Sequence, residues 1–555
     1  MSYNQFNRVK SGKEAKQLVL DGLELCYNAV KPTLGGNGSN VTIMPYIHNH
    51  YEQKYYIQNT KDGVTVIKSI YSSIPEMTIA IDLLKMTCNK TVEEVGDGTT
   101  TTVILAYHLY KKGLELLANN PTLNPHRLKR ELDYTLKQVL EYIDANSITI
   151  NSEKELYDIA MISSNNDMEI SSMLTPLIFE HGNNININVK ENYGGNTTIE
   201  RIDGILLGRG YLTDKLLDNP YDLTKEMENC LVFMTDEHIN NFAQIYQLLS
   251  YAKTNPLLII AKSYNVDVVQ SIIDNNKSGA TNVMLTTTTD YLAYERLDDI
   301  STYIGGTVVS KYNGLTITYM NKDLRNMTYG INKHEVYLGK CDKVIVSTDK
   351  VIFQLNDKSK QIASFRIRDK VNTLKLTIDA ELLKEGVDNQ YTIKMLEQRI
   401  SNLSEAIVNL SIGGNSELEI KERTDRADDC INSLKCALKG GYVVGGGKTF
   451  LNASKTLSET TSTFGGRLLL EIIKEPCKQI VNAADNPDII IEELLEGNMN
   501  KVYDIVKYEY VDGIQSGIID ASLVLKSALV NACSLASTLL LTECVIINQF
   551  IPENV

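Results

Sequence analysis

The feature that most limits how this chain can fold is a double change of texture along its length. Residues 203–399 carry short apolar runs, among them LLIIA (257–261), NVMLTT (282–287), GGTVV (305–309) and KVIVS (343–347), separated by helical patterns such as Ile239–Ala252. Runs of that length, rich in branched side chains and alternating with helices, predict an α/β layer. On both sides the texture is helical. Amphipathic patterns cover Gly12–Val30, Glu76–Glu94, Thr99–Leu117 and Pro125–Asn146, and a second helical block runs from Ile400 to Cys544. A short strand is expected at Asn40–Met44, and the Asn/Gly-rich stretch 183–198 reads as a boundary or hairpin. An α/β segment between two helical blocks reads as an insertion, with the outer blocks folding together. A chain of 555 residues outgrows a single core and should hold two or three domains.

Composition removes several classes of function. A formal charge of −14 disfavours DNA or RNA as a partner. No apolar run reads as long enough to span a bilayer, and the start, MSYNQFNRVKSGKEAK, lacks the apolar core of a secretion signal. The nine cysteines form no CxxC pair and read as reduced thiols. The expected location is therefore cytoplasmic, which for a virus-encoded chain means the host cytoplasm. The seven histidines form no HExxH and no ligand cluster, so a metal held by His and Cys is not expected.

One short stretch carries chemistry. Residues 96–102 read GDGTTTT at the start of a helix, although threonine is a mediocre helix former. A helix N-terminus offers unpaired N–H groups and partial positive charge, which together suit phosphate. Gly96 and Gly98 let backbone approach a ligand, Thr99, Thr100 and Thr101 add hydroxyls, and Asp97 is placed to hold the metal that accompanies nucleotide phosphates. The plainer reading is an Asp/Thr N-cap. Two other glycine-rich places compete with it. Thr33–Gly38 could simply close the first helix, and GGGKT (445–449) resembles the end of a P-loop. The latter fails, because the glycine needed six residues before Lys448 is Tyr442.

Taken together, NAVKPTLGGNGSNV (28–41), TKDGVTV (60–66), EVGDGTTTTVILA (94–106), ISSNND (162–167), GRGYL (208–212), PLLIIA (256–261), GGTVVS (305–310), GGYVVGGG (440–447), GIIDASLV (517–524) and LLTECVI (540–546) resemble a divergent GroEL-type (group I) chaperonin subunit. The resemblance implies a multidomain α and α/β fold. A mainly helical equatorial ATP-binding domain would span 1–145 and 441–555. A small intermediate domain would span 146–202 and 407–440, and an α/β apical client-binding domain 203–406. It implies an ATP hydrolase coupled to protein folding, with ATP and Mg2+ as cofactors and K+ as an accessory ion. By motif, Asp97 matches the metal ligand. Thr33, Leu34, Gly35, Lys61, Gly98, Thr99, Thr100, Thr101, Gly446, Asp504 and Asp520 match nucleotide-binding positions. Asp429 and Asp62 match the catalytic carboxylates, with Asp429 preferred over the adjacent Asp428 on its spacing to Gly446. Tyr211, Leu216, Tyr246, Leu249, Val269 and Ile273 fall in the client-binding groove, and Gly204, Gly441, Thr149 and Ala406 fall at the hinges. The implied partners are non-native proteins, six further copies in a seven-membered ring, and a co-chaperonin.

The sequence also departs from that pattern. The loop between Asn40 and Lys61 is longer and carries HNHYEQKYY (48–56), Gly36 replaces a proline, and the residues at 504–506 are not those expected to contact a base. Lys215 and Asp274 interrupt the apolar groove, and the chain ends at IPENV without a Gly-Gly-Met tail. Two other functions compete with a folding ATPase: a protein-binding ring or scaffold with lost or weak ATPase activity, and a metabolic ATP-using enzyme. Retention of Asp62, Asp97, Asp429 and the threonines argues against the first. The lack of a recognisable small-substrate site argues against the second.

Overall fold

A computed structural model describes residues 3–35, 38–44, 58–182, 185–202, 204–217, 223–288, 293–325, 334–382, 384, 390–403, 407–482, 484 and 486–552. The HNHYEQKYY loop, Gly36, Ala406 and the last three residues lie outside the described residues. Contacts divide the chain into two compact units. The first comprises Met1–Asn183, Val189–Ile199 and Leu410–Val555, the second Asn184–Asn188 and Glu200–Asn409.

In the first unit, residues from both ends of the chain fill one core. Its central helix, Ser522–Leu540, packs on Pro75–Val95, Thr99–Asn119 and Pro125–Ala145. Ala528, Ala532 and Ala536 recur every fourth residue and are fully buried, giving a smooth stripe that lets neighbouring helices come close. The approach is tight enough that a Cβ on Gly113 would lie 2.8 Å from Leu540. This helix corrects one expectation: by length and composition alone it could cross a membrane, but two thirds of its most apolar stretch is buried inside the unit. It is a core helix. The chain ends meet as well, with Tyr3–Ser11 running antiparallel to Cys544–Pro552.

The region after Ile400 is less uniformly helical than its texture predicts. Strands Ile407–Gly413, Tyr442–Val444, Lys501–Asp504, Glu509–Asp512 and Ile519–Ala521 interrupt it. The strand expected near Asn40–Met44 is Val41–Ile43, paired antiparallel with Gln58–Thr60.

The second unit is built on a six-stranded sheet in the order Val283–Thr287, Leu257–Ala261, Thr224–Met234, Leu338–Ser347, Val351–Gln354, Ile205–Leu207. The first three strands are mutually parallel and the remaining pairings antiparallel. Leu257–Ala261 is buried at every residue, which is why LLIIA reads as unbroken apolar sequence and not as an alternation. Two readings fail here. GGTVV is not a strand: Gly305 and Gly306 both take left-handed conformations (φ +80° and +77°), and only Val309 bridges the sheet, to Thr235. Ile239–Ala252 is not one helix but two 3-10 turns around a single helical turn, Tyr246–Leu249. The Gln244 side chain accepts from the backbone N–H groups of Asn240 and Asn241 and restarts the chain there.

Candidate functional site

The first unit gathers several separate stretches around the start of the helix Thr99–Asn119. Gly96 ends the preceding helix in a left-handed conformation (φ +74°), and a Cβ there would fall 2.3 Å from the Asn432 side chain. Gly98, also left-handed (φ +85°), is the N-cap residue, and no side chain caps the helix. Its first-turn N–H groups are thus left for another acceptor. Between the glycines, Asp97 is half-buried. Its Oδ2 accepts from Ser433 Oγ at 2.9 Å and its Oδ1 from the Gly98 N–H. Burial holds its carboxyl above the usual range, opposed by those two hydrogen bonds and assisted by the negative charge of Asp62.

The four threonines divide the labour. Thr102 is buried and returns its hydroxyl to the Gly98 carbonyl (3.0 Å), a purely structural bond. Thr33 donates to the Val30 carbonyl (2.9 Å), so Thr100 is the donor in the 3.0 Å contact between their hydroxyls. Thr99 and Thr100 also face the Lys61-Asp62-Gly63 turn, where a Cβ on Gly63 would sit 2.8 and 2.6 Å from their Oγ1 atoms. Thr101 is half-buried on the same first turn. Leu34 is extended and half-buried where the 3-10 turn Lys31–Thr33 ends, and Gly35 follows in a left-handed conformation (φ +81°).

Lys61 and Asp62 point to different tasks. Lys61 Nζ donates to the Gly35 carbonyl (3.1 Å) and to Asn165 Oδ1 (2.8 Å). Burial, then the Arg426 charge, push its pKa down to about 8, against the pull of Glu422. Asp62 caps the short helix Gly63–Lys68, accepting from the backbone of Val64 (3.0 Å) and Thr65 (2.9 Å) and from the Thr65 hydroxyl (2.6 Å).

The helix Glu417–Gly440 lays its residues along this floor at one-turn spacing, about 6 Å per step. Ser433 reaches Asp97. One turn earlier the Asp429 carboxyl is pushed well above the usual range, by burial and then by Asp97, Asp62, Asp425 and Asp428. Its neighbour Asp428 is exposed, so Asp429 is the member of the pair turned inward. One turn earlier again, Asp425 is raised to about 7 by burial and Asp62.

The third glycine stretch closes the site. Tyr442–Val444 pairs antiparallel with Ile519–Ala521, opposing Val443 to Asp520. Gly446 and Gly447 are left-handed (φ +63° and +73°), and a Cβ on Gly445 would come within 3.1 Å of Asp520 Oδ1. Burial, then the charge of Asp97, raise Asp520 to about 7. Lys448 turns away from this site: it is buried and donates to the Leu494 carbonyl, so it is no phosphate lysine. Asp504 Oδ1 accepts within its own hairpin turn from the backbone of Val506 (2.9 Å) and Lys507 (3.2 Å).

Sequence reasoning missed Ser433, Asn165 and Asp425 as members of this site. A helical count back and forward from Asp429 reaches Asp425 and Ser433. Asn165 and Asn166 stand in ISSNND with positive φ (55° and 64°), a conformation that asparagine tolerates better than most residues. Among the described residues no three His, Cys, Asp or Glu side chains converge on a metal-holding point. By itself Asp97 offers a carboxylate oxygen donor, the ligand type that a hard divalent cation takes when phosphate and water complete its shell.

In the second unit the expected apolar strip does not lie open. Leu216, Leu249 and Ile273 are 2%, 6% and 3% exposed and belong to the core, while Val269 and Tyr211 are half-buried against it. The helix Val266–Lys277 turns Val268, Ile272 and Ile273 inward and leaves Asp274 outside. Of the six, only Tyr246 is well exposed, at 61%.

An uncapped helix start preceded by left-handed glycines and faced by a row of carboxylates, in a helical unit whose chain carries an inserted α/β unit, defines a large multidomain protein with an acidic site at a helix N-terminus. The sequence pattern of the TCP-1/cpn60 chaperonin family matches residues 27–549, and the chain belongs to that family. Its fold is similar to that of the chaperonin gp146 from bacteriophage EL 2 (Pseudomonas aeruginosa), crystallised in the presence of ATP-BeFx. In crystal form I the TM-score is 0.71 at 20% identity, covering 98% of this chain and 99% of that one. In crystal form II the TM-score is 0.62 at the same identity and coverage. At that identity the likeness speaks to the fold.

Proposed function

We propose that this chaperonin subunit hydrolyses ATP with Mg2+, works in a ring of seven subunits, and binds non-native proteins. The observation that carries the reading is the 2.9 Å hydrogen bond from Ser433 to Asp97 at the uncapped helix start, which lays the helix of Asp429 across that start from more than three hundred residues later. ATP-BeFx in the crystals of the phage chaperonin is consistent with it. The helical core of the first unit corresponds to the equatorial domain. The helices Glu153–Ser163, Met168–His181 and Glu417–Gly440 correspond to the intermediate domain, and the second unit to the apical domain.

Asp97 would hold Mg2+, which when bound neutralises charge across the phosphates. The N–H groups of Thr99, Thr100 and Thr101 and the hydroxyls of Thr99 and Thr101 donate to the phosphate oxygens, and Lys61 adds positive charge from a fixed place. Gly446 gives the ribose close access to backbone, with Asp520 alongside as acceptor. Asp429, kept strongly basic by its acidic neighbours, orients the attacking water and takes its proton, while Asp62 holds the turn beneath the phosphates. Gly204 and Gly441 serve as hinges. Replacing Asp429 with alanine should leave nucleotide binding near wild type and slow phosphate release roughly 10²-fold. Wild-type turnover in that variant would remove Asp429 from the reaction, and a wild-type chain that releases no phosphate at all would make it a protein-binding scaffold.

A further inference from the structure

The helix that carries Asp429 bears another carboxylate that the proposed reaction does not use. Asp425 precedes Asp429 by four residues, so both stand on one face of Glu417–Gly440 with their Cβ atoms about 6 Å apart. Its Oδ2 is fully buried and has no hydrogen-bond partner among the described residues. A buried carboxylate oxygen is costly to leave unpaired, and unpaired buried acceptors concentrate where a ligand or ordered water completes the bonding. Asp62 is the largest charge acting on it, ahead of Lys421, Asp428 and Glu422. The face of the helix thus presents Asp425, Asp429 and Ser433 in sequence towards Asp62 and Asp97. One residue on, Arg426 Nε is likewise buried without a partner among the described residues, while its Nη2 is taken by Glu422. A buried donor and a buried acceptor left open on neighbouring residues are groups that ordered water completes.

We infer that Asp425 is a further positioning residue of the hydrolytic site, its Oδ2 accepting a hydrogen bond from a water beside the one that Asp429 activates. The inference rests on the proposed ATP hydrolysis. In that reaction the water oxygen bonds to the γ-phosphorus, and the bond from phosphorus to the bridging oxygen breaks with its electron pair leaving on ADP. The proton released goes to Asp429 and onward through water to solvent. Asp425 acts on the last part of that path, by holding the neighbouring water in line with Asp429 through a charge-assisted bond. It does not touch the nucleotide.

The full-length protein tests this with Asp425→Asn, Asp425→Glu and Asp425→Leu, measuring phosphate release, equilibrium binding of fluorescent ADP and Tm. Asp425→Leu should lower kcat about 10- to 100-fold, the loss expected for one hydrogen bond to a charged group. Nucleotide affinity should stay within about 2-fold, because no nucleotide contact is lost. Asp425→Asn should fall between, and Asp425→Glu should recover most of the rate. Wild-type kcat in Asp425→Leu overturns the inference. So does a loss of rate that follows a fall in Tm, or an equal loss in binding, since either marks a structural residue. Absence of turnover in the wild-type protein would instead refute the ATPase reading, before any variant is compared.

Discussion

Asp97 and Asp520 show how a single residue here trades stability for function. Both are carboxylates pressed into a crowded acidic site, and both are raised by burial above their ordinary range. A carboxyl raised in the folded state keeps a proton that the unfolded chain has already lost, so its contribution to stability is present at acid pH and disappears as pH rises through the folded value. For Asp520 that window runs from about 4 to about 7. Asp520→Asn should therefore match wild type in Tm near pH 4, gain on it as pH rises to about 7, and hold a constant advantage above. A Tm difference independent of pH would show that Asp520 is not raised. Asp97→Ala should remove Mg2+-dependent phosphate release and weaken binding of Mg-ATP, while circular dichroism shows an intact fold. Normal turnover in that variant would take the Asp97 turn out of the active site.

Among the elements, the helix Glu417–Gly440 decides whether the site exists, because it brings Ser433, Asp429 and Asp425 to a floor made by other stretches. Gly96 sets how closely it can come. Gly96→Ala would strain a left-handed residue by about 1 kcal/mol. Its Cβ would also have to displace Asn432 from 2.3 Å. We expect a loss of about 2–3 kcal/mol by denaturant unfolding, and a larger fall in kcat than in nucleotide affinity as Asp429 moves away. Unchanged kcat would mean that the helix tolerates the shift. The floor was legible in the sequence because its parts are local: GDGTTTT, Lys61-Asp62-Gly63 and the 445–447 glycines each declare a turn by residue type alone. The ladder was only half legible. Asp429 came from motif spacing, whereas Asp425 and Ser433 gain meaning only when the helix is laid across the floor. GGTVV and Ile239–Ala252 misled for a related reason: apolar content resembles a strand or a helix until two left-handed glycines or an Asn-Gln cap break it. The helix Ser522–Leu540 shows the same limit, since apolar sequence alone does not distinguish a membrane span from a core helix.

For the molecule as a whole, the second unit poses the sharpest question, because a chaperonin must expose apolar surface that other soluble proteins hide. The residues matched by resemblance are mostly unable to do this. Leu249 and Ile273 lie in the core, and Ser at both should cost about 2–5 kcal/mol each in stability. Any loss of client capture in that variant would accompany unfolding of the unit. The apolar side chains that do face outward in this unit include Leu223 (70% exposed), Tyr246 (61%), Val266 (79%), Tyr312 (82%) and Tyr319 (56%). Each offers only a modest gain on meeting a non-native chain, at most about 1.5–3 kcal/mol for a fully buried aliphatic or aromatic residue, so capture must draw on several at once and on several subunits. We therefore expect Tyr246→Ser with Val266→Ser to weaken suppression of aggregation of a denatured test protein, with Tm and phosphate release unchanged. The core pair should show the opposite pattern, a fall in Tm first and capture lost only with it. If the outward pair captures clients as well as wild type, contact with non-native chains is made by other surface, and Tyr312 and Tyr319 become the residues to change.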